Sequence, residues 1–261
     1  MLSRKHAVAL TVGGSDSGGG AGIQADLRTF HTFGVFGTSA ITCITAQNPR
    51  RVGAIQPVDP TIVAAQMLLV FEAFPVSSAK TGMLFDARII QSVADAFARQ
   101  RFRKLVVDPV MVASSGAVLL KKNATTVLQS VLFPHAAVVT PNVAEAEVLC
   151  QHSIASLEQL RDAARALANR YSVPFLVKGG HLPHSQRAID VLFDGRRLLE
   201  FSAPRVCRIR THGTGCTFSA AIAANLALGH NLVDSVRRAK RFMSRAIRNS
   251  LKIGPHRALN T

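Results

Sequence analysis

Short apolar runs alternate with helix-length stretches along all 261 residues, and this alternation restricts the fold more than any other feature of the chain. The strand-like runs are Ala7–Val12, Thr38–Ile44, Ser78–Thr81, Leu105–Val107, Ala137–Thr140 and Phe175–Val177. Apolar spacing predicts helices over about Gly22–Phe33, Thr61–Phe74, Ala87–Gln100, Asn123–Val131, Val143–Leu149, Leu157–Tyr171, Thr217–Leu228 and Leu232–Ile247. Strands separated by helices of this length form right-handed βαβ units and a mainly parallel sheet. Ala188–Phe193 and Leu198–Phe201 flank Asp194-Gly195, which reads as a β-hairpin at the sheet edge. No repeat, low-complexity linker or composition break divides the chain, so one α/β domain over residues 1–261 is expected, and 48% hydrophobic residues suffice for its core.

In such a sheet, ligands bind beyond the carboxyl ends of the strands. Val12 runs into Gly13-Gly14-Ser15-Asp16, Ile44 into Thr45-Ala46-Gln47-Asn48, and Thr81 into Gly82-Met83. Val107 precedes Asp108-Pro109-Val110, Thr140 precedes Pro141-Asn142, and Val177 precedes Lys178-Gly179-Gly180-His181. All these ends converge on one edge of the sheet.

Thr211-His212-Gly213-Thr214-Gly215-Cys216 leads directly into an apolar helix. A glycine turn at a helix N-terminus aims free N–H groups at one spot, where the helix dipole also favours negative charge. A thiol there should ionise more easily than a free one. Cys216 is therefore a candidate base beside an anion cradle, although an alanine-rich helix could simply bury it. The run Gly13–Gly22 also follows a strand and opens a helix, and it could close over a substrate like a lid. It matches neither G-x-G-x-x-G nor G-x-x-x-x-G-K-[ST], which disfavours a dinucleotide dehydrogenase and a P-loop NTPase.

Asp26 and Gln47 offer a carboxylate and an amide to read a small polar ring, with first-turn dipole pairing the plainer account of Asp26. Asp108 and Glu145 could ligate Mg²⁺ carrying nucleotide phosphates. Asn142-x-x-Glu145 equally fits a helix capping box. Lys178 stands where it could meet phosphates, a surface lysine being the default, and His181 and His212 stay open between a base and the commoner hydrogen-bonding spacer.

The formal charge of +16 attracts phosphate-bearing partners, but its densest stretch also carries Val236, Ala239, Phe242, Met243 and Ala246 at helical spacing. That pattern is a packed helix with a solvated basic face, and no nucleic-acid or membrane partner is expected. Cys43, Cys150, Cys207 and Cys216 are scattered, without metal-ligand spacing, as in a reducing compartment. With no signal-like segment, the chain reads as soluble and cytoplasmic.

Gly14–Asp26, Ala46-Gln47-Asn48, Lys80–Leu84, Val107–Met111, Thr140–Ala146, Lys178–His181 and His212–Cys216 together resemble the hydroxymethylpyrimidine/phosphomethylpyrimidine kinase family of thiamine biosynthesis. The motifs occur in the family's order over nearly the whole chain. The resemblance implies a ribokinase-like three-layer sandwich, ATP as phosphoryl donor, Mg²⁺, an activating K⁺ and a homodimer. It implies phosphorylation of 4-amino-5-hydroxymethyl-2-methylpyrimidine to its monophosphate and then its diphosphate. Gly14, Asp26, Thr45, Gln47, Met83, Val110 and Cys216 would line the pyrimidine pocket, and Gly213, Thr214 and Gly215 would form the anion hole. Asp108 and Glu145 would organise the metal, with Asn142, Lys178 and Lys240 toward the phosphates. Pro49 stands where the family more often has threonine, and Thr45 where it has valine; Pro49 stiffens the loop after Gln47. The charge is not a family trait. A pyridoxine/pyridoxal kinase is the alternative, and a nucleic-acid-binding regulator on a kinase-like fold a third.

Overall fold

The computed structural model describes residues 6–112, 118–121, 123–180, 182, 186–206 and 212–261. In chain order the elements are β1 (Val8–Asp16), α1 (Gly22–Thr32), β2 (Phe36–Asn48), β3 (Arg51–Pro57), α2 (Pro60–Ala73), β4 (Val76–Thr81), α3 (Ala87–Arg99) and β5 (Leu105–Val107). There follow α4 (Ala124–Val127), β6 (Ala136–Val139), α5 (Val143–Cys150), α6 (Leu157–Tyr171), β7 (Phe175–Gly179), β8 (Arg187–Phe193) and β9 (Leu198–Pro204). The chain ends in α7 (Thr214–Ala227), α8 (Leu232–Arg248), β10 (Leu251–Ile253) and β11 (His256–Ala258). Strands β1 to β9 form one sheet in the order β3-β2-β1-β4-β5-β6-β7-β8-β9. Its middle is parallel from β2 to β7, and β3 and β8 run antiparallel to their inner neighbours.

Side chains alternate across each strand, and both faces are covered, so the inner strands are apolar throughout. Leu105, Val107, Phe175 and Val177 face a core closed by α2 to α6. Val106, Val138, Leu176 and Leu192 face a second core closed by α1, α7 and α8. Every residue of α7 from Thr217 to Ala227 is buried. A helix apolar all round belongs inside, and α7 accordingly contacts both α1 and α8 as well as the sheet. Its burial fixes the position of its N-terminus. Helix α8 buries Val236, Ala239, Phe242, Met243 and Ala246, while Arg237, Arg238, Arg241, Arg245 and Arg248 are exposed, as its amphipathic spacing predicts. Among the described residues, no helix is long and apolar enough to cross a membrane.

Three local expectations are corrected. Gly13–Asp16 is not loop: it extends β1, with Ser15 and Asp16 paired to Ile44 and Thr45 after a register shift. Only residues 17–21 make the turn. Thr45–Asn48 likewise extends β2 and pairs with β3, which carries no apolar alternation to announce it. Gly53 and Pro57 are tolerated there because β3 is an edge strand. Pro49 and Arg50 form the hairpin turn between the two strands, and the Asn48 side chain accepts from the N–H groups of Arg50 and Arg51. The helix expected over Asn123–Val131 is α-helical only to Val127 and continues as a wider π-helical turn over Leu128–Leu132.

Candidate active site

The strand order also orders the chemistry along the carboxyl edge. At the β2, β1 and β4 end is a small apolar cluster separate from both cores. Buried Cys43, Met83 and Leu119 pack there with the partly exposed Val52, Ile55, Phe85 and Val110. Gly14 passes so close that a Cβ would lie 2.8 Å from Cys43 Sγ and 3.3 Å from Met83 Sδ. Thr45 donates to the Ser15 carbonyl at 2.8 Å, and the Gln47 amide lies 3.0 Å from His212 Nε2. Gly14, Thr45, Gln47, Met83 and Val110 thus share this end.

At the β5, β6 and β7 end, Asp108, Asn142, Glu145 and Lys178 come together. Lys178 Nζ donates to Asp108 Oδ1 at 2.8 Å, and Ser219 on α7 donates to Asp108 Oδ2 at 3.1 Å. Burial alone would protonate Asp108, but Lys178 and then Lys80 hold its carboxyl below the ordinary range. Burial opposes the charge on Lys178 as well, and Asp108 and Glu145 keep its pKa raised. Asn142 and Glu145 make the complete capping box of α5: Asn142 N–H donates to Glu145 Oε2 at 2.8 Å, and Glu145 N–H to Asn142 Oδ1 at 2.9 Å. The capping and ligand readings are compatible, because Glu145 remains electrostatically coupled to Lys178 and Asp108. Burial pushes it up to about 7, with Asp108 adding to the rise and Lys178 opposing it.

Between the two ends lies the N-terminus of α7. Gly213 adopts φ +81°, and a Cβ there would fall 1.8 Å from the Gly20 carbonyl oxygen. Only glycine lets the α7 entry and the residue 17–21 turn approach this closely. A Cβ on Gly215 would lie 3.4 Å from Lys178 Nζ and 3.9 Å from Asp108 Oδ2. The helix starts at Thr214, one turn earlier than its apolar run suggests. Cys216 is half-buried, with the Gly22 N–H at the start of α1 also bonded to its sulfur.

The expected easily ionised thiol is not found. Burial pushes Cys216 up to about 11, Asp26 and Asp108 add to the rise, and Lys80 only partly offsets it. Desolvation here outweighs the helix-terminus effect.

Two candidates are placed differently from the rest. Asp26 is on the second turn of α1 and is 1% exposed, so the first-turn pairing is also excluded. It accepts from Thr11 Oγ1 at 2.6 Å and from Lys80 Nζ at 2.8 Å. Lys240 is paired with Asp190 of β8 at 2.7 Å, and Asp190 also accepts from the Gly179 N–H. It therefore braces the strand end that carries Lys178. His181 lies outside the described residues.

Sequence reasoning passed over Lys80. It is 1% exposed on β4, and burial would strip its proton, but Asp26, Cys216 and Asp108 raise its pKa instead. Its signal was a lysine in an otherwise uncharged strand immediately before Thr81-Gly82. His212 and Asp16, 3.1 Å apart, were also not assigned to the site.

The donor set suits Mg²⁺. Two buried carboxylates share Lys178, and the raised Glu145 marks negative charge that a divalent cation would offset. Mg²⁺ keeps several waters and takes one or two carboxylates with phosphate oxygens, so it needs no cage of protein ligands. Among the described residues, no group of three or more His, Cys, Asp or Glu forms such a cage.

A mainly parallel sheet with this strand-end site defines a small-molecule kinase of the ribokinase-like class. The fold superposes on the pyridoxal kinase of Bacillus subtilis, solved as an ADP complex, with a TM-score of 0.89 and 32% identity over 98% of this chain and 97% of that one. A family model described as phosphomethylpyrimidine kinase matches residues 16–260. The chain is 47% identical to the hydroxymethylpyrimidine/phosphomethylpyrimidine kinase of Haemophilus influenzae, over 94% of this chain and 92% of that protein. It is 49% identical to the thiamine biosynthesis bifunctional protein ThiED of Geobacter sulfurreducens, over 94% of this chain but 50% of that longer protein. The chain belongs to the phosphomethylpyrimidine kinase family.

The raised Glu145 predicts a pH dependence of stability. Its ordinary value is 4.5. Between that and about 7, the folded protein holds a proton the unfolded chain has lost, so stability from this group is full below pH 4.5 and lost as pH rises through 7. Glu145→Gln keeps an acceptor for the Asn142 N–H and removes the titration. Urea unfolding should show the variant gaining about 3 kcal/mol on the parent between pH 4.5 and pH 8. A difference independent of pH would refute the assignment.

Proposed function

We propose that this chain uses ATP to phosphorylate the hydroxymethyl group of 4-amino-5-hydroxymethyl-2-methylpyrimidine, and then to extend that monophosphate to the diphosphate used for thiamine. The observation that carries this reading is the position of the α7 N-terminus. It lies between an apolar cluster bordered by Gln47 and Thr45 and the buried Asp108–Lys178 pair. A flat ring bearing one hydroxymethyl group fits the first, and a polyphosphate the second.

The hydroxyl oxygen attacks the γ-phosphorus, whose bond to the β–γ bridging oxygen breaks to release ADP, while the N–H groups from Gly213 to Cys216 receive the charge developing on the transferring oxygens. Lys178 orients the phosphates, and Asn142 holds Glu145 toward them. Asp108 and Glu145 would hold Mg²⁺, whose contribution is to neutralise charge on the phosphates. Phosphoryl transfer depends mainly on positioning and electrostatics, so a small thiolate fraction suffices: Cys216 first gives its own proton to solvent, and the thiolate then accepts the proton of the attacking hydroxyl. Its neighbour Lys80 favours that thiolate before the transfer. Asp26 acts indirectly, by keeping Lys80 in place. In the second reaction the nucleophile is already an anionic phosphate and needs little base.

A second reading, phosphorylation of pyridoxine or pyridoxal, draws support from the likeness to the Bacillus subtilis pyridoxal kinase. A coupled ADP-release assay with hydroxymethylpyrimidine, its monophosphate and pyridoxine separates the two. Turnover of both pyrimidines is expected; turnover of pyridoxine alone would overturn the main reading. We extend the proposal to an activating K⁺: replacing K⁺ by Na⁺ in this assay should slow turnover, and equal rates in both would remove it. Cys216→Ala should slow the first step by ~10²-fold, the scale of a general base, and slow the second much less. Equal losses in both steps would remove the base assignment.

The proposal includes a homodimer. Helix α2 is apolar on both sides: Val63 and Met67 are buried, while Ile62 and Leu69 are 54% and 64% exposed. Phe36 and Ile44 of the adjacent β2 are also more than half exposed, at 51% and 56%. Apolar exposure clustered on one face marks an association surface. Sedimentation should give the parent twice its 27.9 kDa chain mass, and Ile62→Glu with Leu69→Glu should give the monomer. A monomeric parent would refute it.

A further inference from the structure

One ring nitrogen, His212 Nε2, faces two partners: Asp16 Oδ2 at 3.1 Å and the Gln47 amide at 3.0 Å. It offers either one proton or one lone pair. Asp16 is a carboxylate that already accepts from Gly18 N–H through Oδ1 and from Ala21 N–H through Oδ2, each at 2.8 Å. Burial alone would raise its pKa, yet these bonds and the one from His212 hold it below the ordinary range. A carboxylate needs a donor, so Nε2 carries the proton. The other nitrogen, Nδ1, is buried with no hydrogen-bond partner among the described residues. A proton there would be an unsatisfied buried donor, which is costly. The geometry therefore places the ring proton at Nε2 and leaves Nδ1 bare.

Thr45 supplies an independent count. Its hydroxyl is 2.8 Å from the Ser15 carbonyl oxygen and 3.3 Å from Gln47 Oε1. The carbonyl can only accept, so the single hydroxyl proton goes to Ser15, and Thr45 Oγ1 is an acceptor toward Gln47. The two ends of an amide exchange by a half-turn, and only the bonding around it decides which faces where. A protonated His212 Nε2 has no lone pair to accept from an amide NH₂, and Thr45 demands a donor. The structure has Gln47 Nε2 at 3.0 Å from the ring and Oε1 at 3.3 Å from Thr45, and a half-turn of the amide meets both needs, with the carbonyl toward His212 and the NH₂ toward Thr45. The Gln47 backbone cannot drift, because its N–H donates to Ser17 Oγ and its carbonyl accepts from Ser17 Oγ, each at 2.8 Å.

We propose that His212, held in the Nε2–H tautomer by Asp16, is a positioning residue that locks the Gln47 amide so that its second N–H faces the substrate. The site then selects a ring that presents a bare nitrogen acceptor at Gln47 and disfavours one that presents a donor there. This selection rests on the pyrimidine-kinase reading; the tautomer and the amide orientation do not.

Long-range ¹H–¹⁵N correlation of the histidine side chains in the intact labelled protein distinguishes a protonated ring nitrogen from a bare one. His212 should show Nε2 protonated and Nδ1 bare, and the reverse pattern overturns the proposal. In kinetics, His212→Leu removes the donor, whereas His212→Gln places an amide N–H near the same point. The Leu variant should raise KM for hydroxymethylpyrimidine by about tenfold or more, with KM for ATP within about twofold, and the Gln variant should return the pyrimidine KM to within about threefold of the parent. Equal KM values in all three proteins overturn the proposal, as do equal losses in Leu and Gln. If the parent turns over no pyrimidine, the functional reading fails while the nitrogen spectrum still decides the tautomer. If Gln47→Ala raises the pyrimidine KM and His212→Leu does not, the functional reading stands and this inference fails. Should the Leu variant not fold, the spectrum of the parent remains decisive.

Discussion

The site depends on two buried ion pairs, Lys80 with Asp26 and Lys178 with Asp108, each at 2.8 Å. Each lysine comes from a sheet strand. The Asp26 carboxylate comes from α1, and Asp108 stands just past the end of β5. Taking such charges out of water costs several kcal/mol per ion, and only good geometry with further hydrogen bonds offsets it. Thr11 supplies the extra bond to Asp26, and Ser219 and Thr140 supply those to Asp108. The pairs therefore cannot be treated separately from the fold: Ser219 belongs to the buried helix α7, and Thr11 to a central strand. Holding Asp108 fixes the α7 entry, and the α7 entry fixes the Gly213–Cys216 turn.

These pairs also determine the electrostatics of the edge. Opposite charges cancel within each pair, so the pocket is not a simple basic funnel despite the chain's charge of +16. The charge excess sits on exposed surfaces such as the outer face of α8. Glu145 is not cancelled in this way: it is raised because burial and Asp108 together exceed what Lys178 offsets. Two helix N-termini, those of α1 and α7, converge on Cys216, yet its thiol stays high at about 11. A helix terminus contributes on the order of 1 kcal/mol, whereas two pKa units above the ordinary 9 correspond to about 3 kcal/mol of opposing desolvation and carboxylate repulsion. Spacing along the chain reports the first effect and is silent about the second.

That difference describes what could be read from the sequence in general. The alternation of strands and helices gave the sheet, its parallel middle and the hairpin at β8–β9, because period and length are local properties. The strand-end residues followed, since in a parallel sheet they must meet at one edge. What the chain hid depends on partners distant in sequence. Arg51–Pro57 becomes a strand only because the extended β2 offers it an edge. Gly13–Asp16 becomes strand rather than lid because β2 pairs with it past the ends of its other neighbours. Lys80 looks like a surface lysine until Asp26, 54 positions away, is seen beside it. Asn142 and Glu145 fitted two explanations, and folding combines them: the cap holds the carboxylate in place near Lys178.

The same reasoning explains why His212 escaped notice as more than a spacer. Its meaning comes from proton counting among four residues spread over three segments, Asp16, Thr45, Gln47 and His212. None of the four carries a distinctive motif for this role. Thr45 is the informative member, because the valine that the family resemblance leads one to expect there could not fix the Gln47 amide by accepting from it. Where valine stands at this position, only the histidine side of the count would remain to orient the glutamine. A threonine there adds a second lock, so the orientation of Gln47 in this chain is set twice, from a carboxylate through an imidazole and from a backbone carbonyl through a hydroxyl.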